Sequence, residues 1–369
     1  MSLLYLGLMS GTSLDGVDGV LADFSGAHCQ VLGHHFIPFP DGLRSELLAL
    51  NRSGPDELHR AALAANALAR SYAQVVQALL QSTGTPAPQV RAIGAHGQTV
   101  RHRPQAFDGT GYTLQLNNPA LLAELTGIDV VADFRSRDVA AGGQGAPLVP
   151  AFHQGVFGQA GQSMAVLNIG GISNLSLLGA QGQVLGFDCG PGNALLDHWC
   201  QRHQGQPYDA GGAWAARGRV HPRLLATLAG EAYLHQPPPK STGRDLFNPE
   251  WLETHLQGFA DVEAVDVQAT LTELTASSCA ADLLRYASDS KTLIVCGGGA
   301  FNTHLMQRLA ALLPGVAVST SDAHGLPPLQ VEAAAFAWLA WRTLERAPGN
   351  LPSVTGAQGP RVLGAIYPA

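Results

Sequence analysis

The sequence of 369 residues contains little charge, with 13% Asp, Glu, Lys and Arg, and only two lysines, Lys240 and Lys291. A low charge content together with 46% hydrophobic residues excludes a disordered or polyelectrolyte chain. The formal net charge of −7 argues against a general nucleic-acid binder, because such proteins neutralise phosphates with an excess of Lys and Arg. The length and the hydrophobic content suit two domains with large cores.

The sequence also lacks the features of a secreted, zinc-binding or membrane-spanning chain. Its five cysteines contain no Cys-x-x-Cys pair and lie scattered at positions 29, 189, 200, 279 and 296, which argues against a disulfide framework or a zinc site. No Lys or Arg precedes Arg44, so the apolar N-terminus lacks the charged region of a signal peptide. No uncharged apolar run approaches the length of a membrane span. We therefore expect a cytoplasmic protein that binds neither membranes nor nucleic acids.

Two segments of the sequence have the same pattern. Residues 3–24 (LLYLGLMSGTSLDGVDGVLADF) and residues 164–178 (MAVLNIGGISNLSLL) each contain an apolar run, a turn rich in Gly, Ser or Thr, and a second apolar run. This pattern is typical of a β-hairpin. A turn with little side-chain bulk lets backbone N–H groups approach a phosphate closely. Two such hairpins predict two related domains that face one nucleotide.

The order of the predicted elements indicates a mixed α/β protein. The predicted strands cover about 3–9, 17–24, 30–37, 90–102, 128–134, 164–169, 174–178, 184–188 and 293–297. The predicted helices cover 55–81, 118–127, 268–288 and 330–346, and one more begins near Ala194. Because a polar stretch rich in Gly and Pro covers 132–150, we predict a first domain over 1–131 and a second domain with insertions over 132–346. The tail over 347–369 is expected to pack back on the first domain.

The first turn, GTSLDGVD at 11–18, has the G-x-x-x-x-G spacing of a P-loop but lacks the Lys-Ser/Thr that follows in one. It also joins two strands, so it is not a Walker A motif. The hydroxyls of Thr12 and Ser13 and the carboxylates of Asp15 and Asp18 favour phosphate or Mg²⁺ binding over an ordinary hairpin turn. Either Asp15 or Asp18 is a candidate Mg²⁺ ligand, and the choice between them stays open.

Asp188 ends a predicted strand and precedes the turn GPGN. A carboxylate held in this way suits a general base, and it equally suits the cap of a turn or helix. A third Gly-rich segment, CGGGAFN at 296–302, is a strand–Gly–helix junction of a kind that often holds a nucleotide. Its place near the C-terminus argues against a Rossmann fingerprint, which normally opens the fold.

Two further segments concentrate hydrogen-bond donors. The segment AHGQTVRHRP contains His96, Gln98 and Thr99, and the segment DFRSRDVAAGGQGAP contains Arg135. Such donors suit a hydroxylated or anionic ligand, and Arg in particular binds carboxylates. Both segments are also consistent with solvated loops. The 14 histidines show no metal-ligand spacing.

Taken together, these segments resemble the anhydro-N-acetylmuramic acid kinase family. The matching segments run from residue 7 to about residue 340 and are GLMSGTSLDGVD, AHGQTVRHRP, ADFRSRDVAAGGQGAPLVP, NIGGISNL, GFDCGPGNALLD, PPPKSTGRDLFN, ATLTELTA, VCGGGAFN and VEAAAFAWLA. The resemblance implies an α/β fold of the sugar kinase/Hsp70/actin superfamily, with two actin-like (RNase H-like) ATPase domains flanking an interdomain nucleotide cleft. It also implies a homodimer.

The resemblance implies a reaction in peptidoglycan recycling that uses ATP and Mg²⁺. The 1,6-anhydro ring of 1,6-anhydro-N-acetylmuramic acid is cleaved with water and O6 is phosphorylated, which gives N-acetylmuramic acid 6-phosphate and ADP. Asp188 matches the family's catalytic base, and Glu332 matches a second carboxylate that helps to hold the water. Arg135 and Arg244 are alternative ligands of the lactyl carboxylate of the sugar.

The resemblance also implies two sets of binding residues. The residues expected to bind ATP are Gly11, Thr12, Ser13, Leu14, Asp15, Gly16, Val17, Asp18, Asn168, Gly170, Gly171, Gly297, Gly298, Gly299 and Asn302. The residues expected to bind the sugar are His96, Gln98, Thr99, Arg135, Asp188, Asn193 and Arg244.

Three positions depart from the pattern. Met9 and Asn168 stand where many superfamily members carry Asp, and Cys189 stands where Thr is more common in the family. Two alternative functions are a catalytically silent sugar or nucleotide sensor and a hexose kinase of the same superfamily. Asp188 and the two phosphate turns argue against the sensor. The segments that match the anhydro-sugar kinases argue against the hexose kinase.

Overall fold

The structure is a computed structural model that describes residues 3–11, 14–26, 29–243 and 246–369. The chain divides into two compact units, which we call unit 1 (Met1–Val156 with Gln330–Ala369) and unit 2 (Phe157–Leu329). The strands are β1 (Leu4–Met9), β2 (Gly16–Asp23), β3 (Gln30–Pro38), β4 (Val90–Ala95), β5 (Gln98–Pro104), β6 (Gly111–Leu116), β7 (Val130–Ala132), β8 (Met164–Ile169), β9 (Ile172–Leu178), β10 (Val184–Pro191), β11 (Thr292–Cys296), β12 (Ala317–Thr320) and β13 (Ala365–Tyr367). The α-helices are α1 (Asp41–Ala49), α2 (Glu57–Thr83), α3 (Pro119–Thr126), α4 (Ser136–Ala140), α5 (Val149–Phe157), α6 (Asn193–Gln204), α7 (Pro222–Ala229), α8 (Pro249–Leu256), α9 (Ala264–Tyr286), α10 (Thr303–Leu312), α11 (Val331–Leu344) and α12 (Pro352–Thr355).

The main sheets of the two units share one topology. In unit 1 the strand order is β13-β7-β4-β1-β2-β3, and in unit 2 it is β10-β9-β8-β11-β12. In unit 1, β1 pairs antiparallel with β2 and parallel with β4. In unit 2, β8 likewise pairs antiparallel with β9 and parallel with β11. In each unit, therefore, the first strand lies between the second and the fourth. This duplicated order confirms the expected α/β fold with two actin-like (RNase H-like) domains.

The ends of several elements follow from local sequence. The side chain of Asn118 accepts a hydrogen bond from the Leu121 N–H at the start of α3, and Pro119 occupies the first helical position. Gly84 ends α2 in the left-handed conformation with φ 63°. Both hairpins expected from the sequence are present, as β1–β2 and β8–β9, and so are the long helices α2, α9 and α11.

The segment expected as one strand from residue 90 is two strands in the structure. Gly97 takes φ +80° between β4 and β5, where a side chain would be strained. The two strands also belong to different sheets, because β5 pairs only with β6 in a separate two-stranded sheet. The sequence pattern is continuous across Gly97, so periodicity alone did not reveal this break.

Each unit has its own hydrophobic core. In unit 1, α2 and its neighbours cover the sheet with a cluster that includes Leu6, Leu68 and Tyr72. In unit 2, one cluster lies between the sheet and the helices α9 and α10. A second cluster of unit 2 gathers Trp199, Trp214 and Trp251 from the segments between β10 and α9. The inserted segments of unit 2 are therefore packed structure around their own apolar cluster.

The division of the chain differs from the domain boundaries expected at 131/132 and 346/347. Residues 132–156 and the whole of α11 group with unit 1. The reason is a close approach of α11 to the first sheet: a Cβ atom at Gly7 would lie 1.9 Å from the Ala333 carbonyl oxygen, and one at Gly94 would lie 2.0 Å from that of Phe336. The tail joins the same unit, where β13 pairs with β7 and buried Asp138 accepts hydrogen bonds from the side chains of Asn350 and Thr355.

None of the helices among the described residues combines the length and the apolar character that crossing a bilayer requires.

The contact between β1 and α11 predicts the effect of a single methyl group. Gly7→Ala should lower the free energy of unfolding by about 1–3 kcal/mol, because backbone must move to admit the new Cβ atom. Gly42→Ala is the matched control, since nothing lies within 4 Å of its added Cβ on α1 and alanine favours the helix by up to about 1 kcal/mol. Urea unfolding of both variants measures the difference. Equal stability of the two variants would contradict the close packing of α11 on β1.

Candidate functional site

The first candidate region is the turn between β1 and β2. The strands pair as far as Met9 and Asp18, so the turn carries residues 10–15. The buried Ser10 hydroxyl donates to the Gly97 carbonyl oxygen at 3.2 Å, and the Gln98 side-chain amide donates to the Gly11 carbonyl oxygen at 3.1 Å. The turn is therefore held by the segment that follows β4. Thr12 and Ser13, expected to bind phosphate, lie outside the described residues.

The other members of this turn divide into core residues and exposed residues. Leu14 and Val17 bury their side chains in the core, so only their backbone is available to a ligand. Asp15 is exposed, whereas Asp18 is half-buried and accepts a 3.0 Å contact from His34 Nε2. Of the two carboxylates that the sequence left open as metal ligands, Asp15 points to solvent and Asp18 is positioned by a neighbour.

His96 and Arg135 form a polar pair in unit 1. Arg135 donates from Nε and Nη2 to His96 Nε2 at 3.1 and 3.0 Å, and from Nη1 to the Gly145 carbonyl oxygen at 2.8 Å. His96 is buried, and burial followed by the Arg135 charge holds its pKa well below the usual range, so its ring is neutral and accepts these bonds. The terminal nitrogens of Arg135 each keep one further N–H, for which the described residues show no partner. His96 thus orients Arg135, which is the residue able to bind an anion.

Glu332 lies at the start of α11 in the electrostatic neighbourhood of Asp18 and Arg135. Although part of the residue is exposed, burial raises the pKa of its carboxyl, the Asp18 carboxylate raises this pKa further, and Arg135 lowers it. Burial lowers the pKa of Arg135 to about 10, against the opposing effects of Glu332 and Asp138, so the guanidinium stays charged at neutral pH. Unit 1 therefore brings together two carboxylates and one cation from β2, α11 and the segment after β7.

The remaining unit 1 candidates have supporting contacts. Gln98 is buried, and its side-chain amide donates its hydrogen bond to the Gly11 carbonyl oxygen of the first turn. Thr99 lies on β5, where its hydroxyl accepts a hydrogen bond from the Gln115 amide at 3.2 Å. The structure therefore brings Gln98 to the turn and places Thr99 in the small β5–β6 sheet.

The second turn, Gly170–Gly171, lies at the corresponding position of unit 2. The N–H groups of Gly192 and Asn193 donate to the carbonyl oxygens of Gly171 and Gly170 at 3.0 and 2.8 Å. The Asn193 side chain also donates to the Ile169 carbonyl oxygen at 3.1 Å. The turn and the start of α6 thus hold each other in place.

The third Gly-rich segment packs against the end of β8. A Cβ atom at Gly297 would lie 2.4 Å from Asn168 Oδ1, and one at Gly299 would lie 2.4 Å from Ile169 Cγ2. These glycines are required by the close approach of β8 to the loop after β11. Asn302 caps α10, because its side chain accepts a hydrogen bond from the Leu305 N–H at 2.9 Å.

A cavity of about 370 Å³ opens beside these segments within unit 2. The predicted residues Asn193, Gly298 and Asn302 contribute to its wall. The other lining residues are Leu196, Asp197, Tyr208, Asp209, Gly211, Phe301 and Leu329. Asp197 follows Asn193 by one helical turn, a spacing that could have indicated it, whereas the loop residues Tyr208 and Asp209 carry no sequence signal.

Asp188 lies near the end of β10, where the pairing with β9 shifts register between Asp188 and Gly190. Its Oδ2 atom accepts a hydrogen bond from the Thr242 N–H at 3.0 Å, and its carboxylate also bonds the Ser241 hydroxyl. Burial raises the pKa of this carboxyl, while these two bonds and the Lys240 charge lower it. The residue before α6 is Gly192, and no side chain caps that helix, so Asp188 is not its cap.

The sequence did not indicate the residues that hold Asp188. Lys240, Ser241 and Thr242 lie in the family-matching segment PPPKSTGRDLFN, where only Arg244 was given a role, and the structure brings them into contact with Asp188. Arg244, the second candidate for binding the lactyl carboxylate, lies outside the described residues.

The donor set in unit 1 suits a hard divalent cation. Mg²⁺ is usually held by one or two carboxylates together with substrate phosphates and water. Burial raises the pKa of Glu332 and the Asp18 carboxylate raises it further, and a cation bound by Asp18 would relieve the repulsion between the two carboxylates. The described residues contain no group of three His, Cys, Asp or Glu side chains arranged to hold a metal by themselves.

Comparisons with known proteins agree on one family. The sequence profile described as "Anhydro-N-acetylmuramic acid kinase" matches residues 3–369. A curated protein of that name from Variovorax paradoxus is 69% identical over 371 residues, covering 99% of each chain. Another from Albidiferax ferrireducens is 66% identical over 389 residues, covering 100% of each chain. A solved structure, the activator of the 2-hydroxyisocaproyl-CoA dehydratase from Clostridium difficile with bound ADPNP, covers 93% of this chain and 96% of its own at 12% identity. Its TM-score of 0.48 is too low to support a conclusion.

The neutral state of His96 predicts a pH dependence of stability. The unfolded chain binds a proton at this side chain near pH 6.5, whereas the folded chain keeps it neutral, so stability is present above pH 6.5 and is lost below it. His96→Gln keeps an acceptor for Arg135 and removes the titration. Between pH 7 and pH 5 the wild type should lose up to about 2 kcal/mol more unfolding free energy than this variant. Urea unfolding at both pH values tests this, with His59→Gln on the exposed face of α2 as the control. Equal losses in wild type and His96→Gln would contradict the neutral, buried His96.

Proposed function

Because the chain belongs to the anhydro-N-acetylmuramic acid kinase family, we propose that it phosphorylates 1,6-anhydro-N-acetylmuramic acid at O6 while water opens the 1,6-anhydro ring. The products are N-acetylmuramic acid 6-phosphate and ADP. The protein is a phosphotransferase with an alcohol group as acceptor, and ATP is its phosphoryl donor. The reaction returns a cell-wall sugar to metabolism, in peptidoglycan recycling.

The observation that carries this proposal is the environment of Asp188. A general base must be ionised and held in one orientation, and it works best when its pKa lies near the working pH. The Thr242 N–H and the Ser241 hydroxyl fix the carboxylate, and half-burial raises its pKa above that of a free aspartate. These features support a base and do not suit a residue that only caps a helix.

In the proposed reaction, Asp188 removes a proton from water as the water oxygen bonds to C1 of the sugar. The bond between C1 and O6 breaks, and its electron pair stays on O6. O6 forms the new bond to the γ-phosphorus of ATP, and ADP leaves with the electrons of the broken P–O bond. The proton on Asp188 passes to solvent. Phosphoryl transfer thus takes the place of protonation by a general acid, and we propose that Glu332 helps to hold the attacking water.

We propose that the cavity of unit 2 receives the adenosine part of ATP. Its size and mixed lining suit a ligand of that kind, since Phe301 and Leu329 offer apolar surface and Asn302, Asp197 and Asp209 offer polar atoms. Gly298 lies in the same wall. The phosphates are proposed to lie against the turn Gly170–Gly171 of the same unit, where little side-chain bulk stands between a ligand and the backbone. Phosphate binding by the turn around Gly11 in unit 1 stays a prediction.

Mg²⁺ is part of the proposal. Of Asp15 and Asp18, the two carboxylates that the sequence left open, Asp18 is the residue that would hold the ion, because His34 positions its carboxylate. The ion supplies charge neutralisation for the phosphates of ATP. A homodimer and a cytoplasmic location stay predictions. The alternatives, a silent sensor and an ordinary hexose kinase, are not favoured by the family relationship.

The proposed role of Asp188 predicts a loss of turnover without a loss of fold. Asp188→Asn keeps the shape of the side chain and removes the basic oxygen, so kcat should fall about 10²–10⁴-fold. The affinity for ATP and the melting temperature should stay near those of the wild type. The measurement is ADP release with and without the anhydro sugar, together with the product mass, which must exceed that of the sugar by one water and one phosphoryl group.

Asp261→Asn is the matched control, because Asp261 is an exposed aspartate of the same unit. It should turn over at the wild-type rate. A wild-type product heavier by a phosphoryl group alone would indicate an ordinary sugar kinase. Normal turnover of Asp188→Asn would show that the base lies elsewhere.

The free N–H groups of Arg135 predict its role in substrate choice. Arg135→Ala should raise KM for the muramyl sugar, because one hydrogen bond to a charged group contributes about 1.5–3 kcal/mol, or roughly 10–100-fold. The KM for 1,6-anhydro-N-acetylglucosamine, which has no lactyl carboxylate, should not change by the same factor. Kinetics with both sugars test this, and Arg137→Ala, at an exposed position in α4, is the control. An equal rise in KM for both sugars would mean that Arg135 supports the structure and does not bind the lactyl carboxylate.

A further inference from the structure

A buried ion pair lies beside Asp188 in unit 2. Lys240 Nζ is 2.9 Å from Asp282 Oδ2, and the two side chains are only 1% and 6% exposed. Lys240 is one of two lysines in the chain, and the ammonium also lies 5.5 Å from the ring centre of Phe187 and 5.4 Å from that of Tyr233. Lysine is almost never fully buried unless it is paired. The chain therefore places its rarest charged side chain where desolvation is costly.

Stability alone does not account for such a pair. Taking two charges out of water costs several kcal/mol per ion, and a well-packed apolar pair often stabilises a fold as well or better. Burial raises the pKa of Asp282, and the contact with Lys240 opposes that rise, so the carboxylate depends on its partner to stay charged. The contacts of the residues next to Lys240 in the chain indicate a role beyond packing.

The residues next to Lys240 hold Asp188 at both its backbone and its carboxylate. The Asp188 N–H donates to the Lys240 carbonyl oxygen at 3.3 Å, and the Thr242 N–H donates to Asp188 Oδ2 at 3.0 Å. The Ser241 hydroxyl also bonds the carboxylate. We call residues 240–242 the strap. Its first residue is fixed to α9 through Asp282.

The sheet by itself holds this position weakly. The ladder between β9 and β10 shifts register after Asp188, and Gly190 takes φ +146°. A bulge of this kind re-aims a side chain and interrupts the regular pairing. The Tyr233 hydroxyl also donates to the Asp188 carbonyl oxygen, at 2.9 Å. The orientation of the Asp188 side chain therefore depends on the strap.

We propose that Lys240, anchored by Asp282, is the positioning residue for Asp188, because it fixes the strap against the Asp188 carboxylate. This proposal rests on the proposed function, in which Asp188 is the base. Lys240 itself makes and breaks no bond in the proposed reaction. Its charge affects the pKa of Asp188, and its ion pair with Asp282 fixes the strap that orients Asp188.

Among the described residues, the groups that titrate around Asp188 are Lys240, Tyr233, Cys189 and Asp282. Burial raises the pKa of Tyr233 and of Cys189, so both stay neutral around pH 7. Lys240 is the charge that lowers the pKa of Asp188. Removing that charge should raise this pKa, and the enzyme should then need a higher pH to ionise its base.

The test uses the full-length protein and the double variant Lys240→Met/Asp282→Asn, which leaves no unpaired charge in the interior. Lys291→Met, at the exposed second lysine, is the matched control and should behave as the wild type. The double variant should keep its fold and its KM for ATP, and its kcat should fall about 10²-fold, the cost of a misplaced catalytic group. The acid limb of its pH–rate profile should move to higher pH. A role confined to packing would change the melting temperature and would leave the pH profile in place.

Two further measurements separate the possible failures. The carboxyl carbon of Asp188, identified by its absence in Asp188→Asn, is titrated by NMR in wild type and double variant, and its midpoint should rise in the variant. An unchanged midpoint together with an unchanged kcat overturns the positioning proposal. A wild type that does not convert the anhydro sugar overturns the proposed function and with it the role in catalysis, whereas a raised midpoint would still show that Lys240 favours the ionised carboxylate.

Lys240→Met/Asp282→Leu carries the test if the first double variant does not fold, because a well-packed apolar pair often stabilises a fold as well as a buried ion pair does. It removes both the anchor and the charge, so kcat should fall and the acid limb should move to higher pH as in the first double variant. A folded Lys240→Met/Asp282→Leu variant with wild-type kcat overturns the anchoring role.

Discussion

The parallel pairing of the first strand with the fourth strand of each repeat is the constraint on which the candidate sites depend. Parallel strands end at the same edge of a sheet, so the turn that follows the first strand lies beside the loop that follows the fourth. In unit 1 this brings Gln98 onto the Gly11 carbonyl oxygen, and in unit 2 it brings Gly297 against Asn168. In unit 2 this close approach leaves no room for a side chain at Gly297 or Gly299, which explains the glycines of the loop after β11.

Buried polar side chains in each unit form series of hydrogen bonds and ion pairs. The candidate functional residues, Arg135 and Asp188, lie at the last contact of such a series. Neutral His96 accepts from Arg135, and this orients a guanidinium that stays charged. In unit 2 the strap connects Asp282 to Asp188 through Lys240. Because an unpaired polar group in the interior costs more than a pair returns, each of these contacts also restricts the conformations open to the candidate side chain. At both candidate sites, therefore, the orientation of the functional side chain is fixed by a neighbouring residue.

Much of the fold could be predicted because it is specified locally. The hairpins, α2 and α11 follow from apolar periods and turn residues, and the duplicated turn already indicated two related domains. The break at Gly97 was missed, since β4 and β5 form one continuous apolar pattern and only their membership of different sheets separates them. The grouping of α11 with unit 1 was missed for a similar reason. Its contact with β1 joins the two ends of the sequence, and no local pattern records it.

The sequence by itself determined the family, because many short motifs in one order are specific even where each motif is common. It also indicated Asp188 as a candidate, but it left open whether this residue is a base or the cap of a turn or helix. The tertiary structure decided which groups contact it: no side chain caps α6, which Gly192 precedes, and the Asp188 carboxylate accepts hydrogen bonds from Ser241 and Thr242. It also decided that Lys240 belongs to the same arrangement, through Asp282 on a distant helix. The physical reason is that hydrogen bonds and ion pairs between remote segments fix orientation and pKa, and these contacts exist only once the chain is folded.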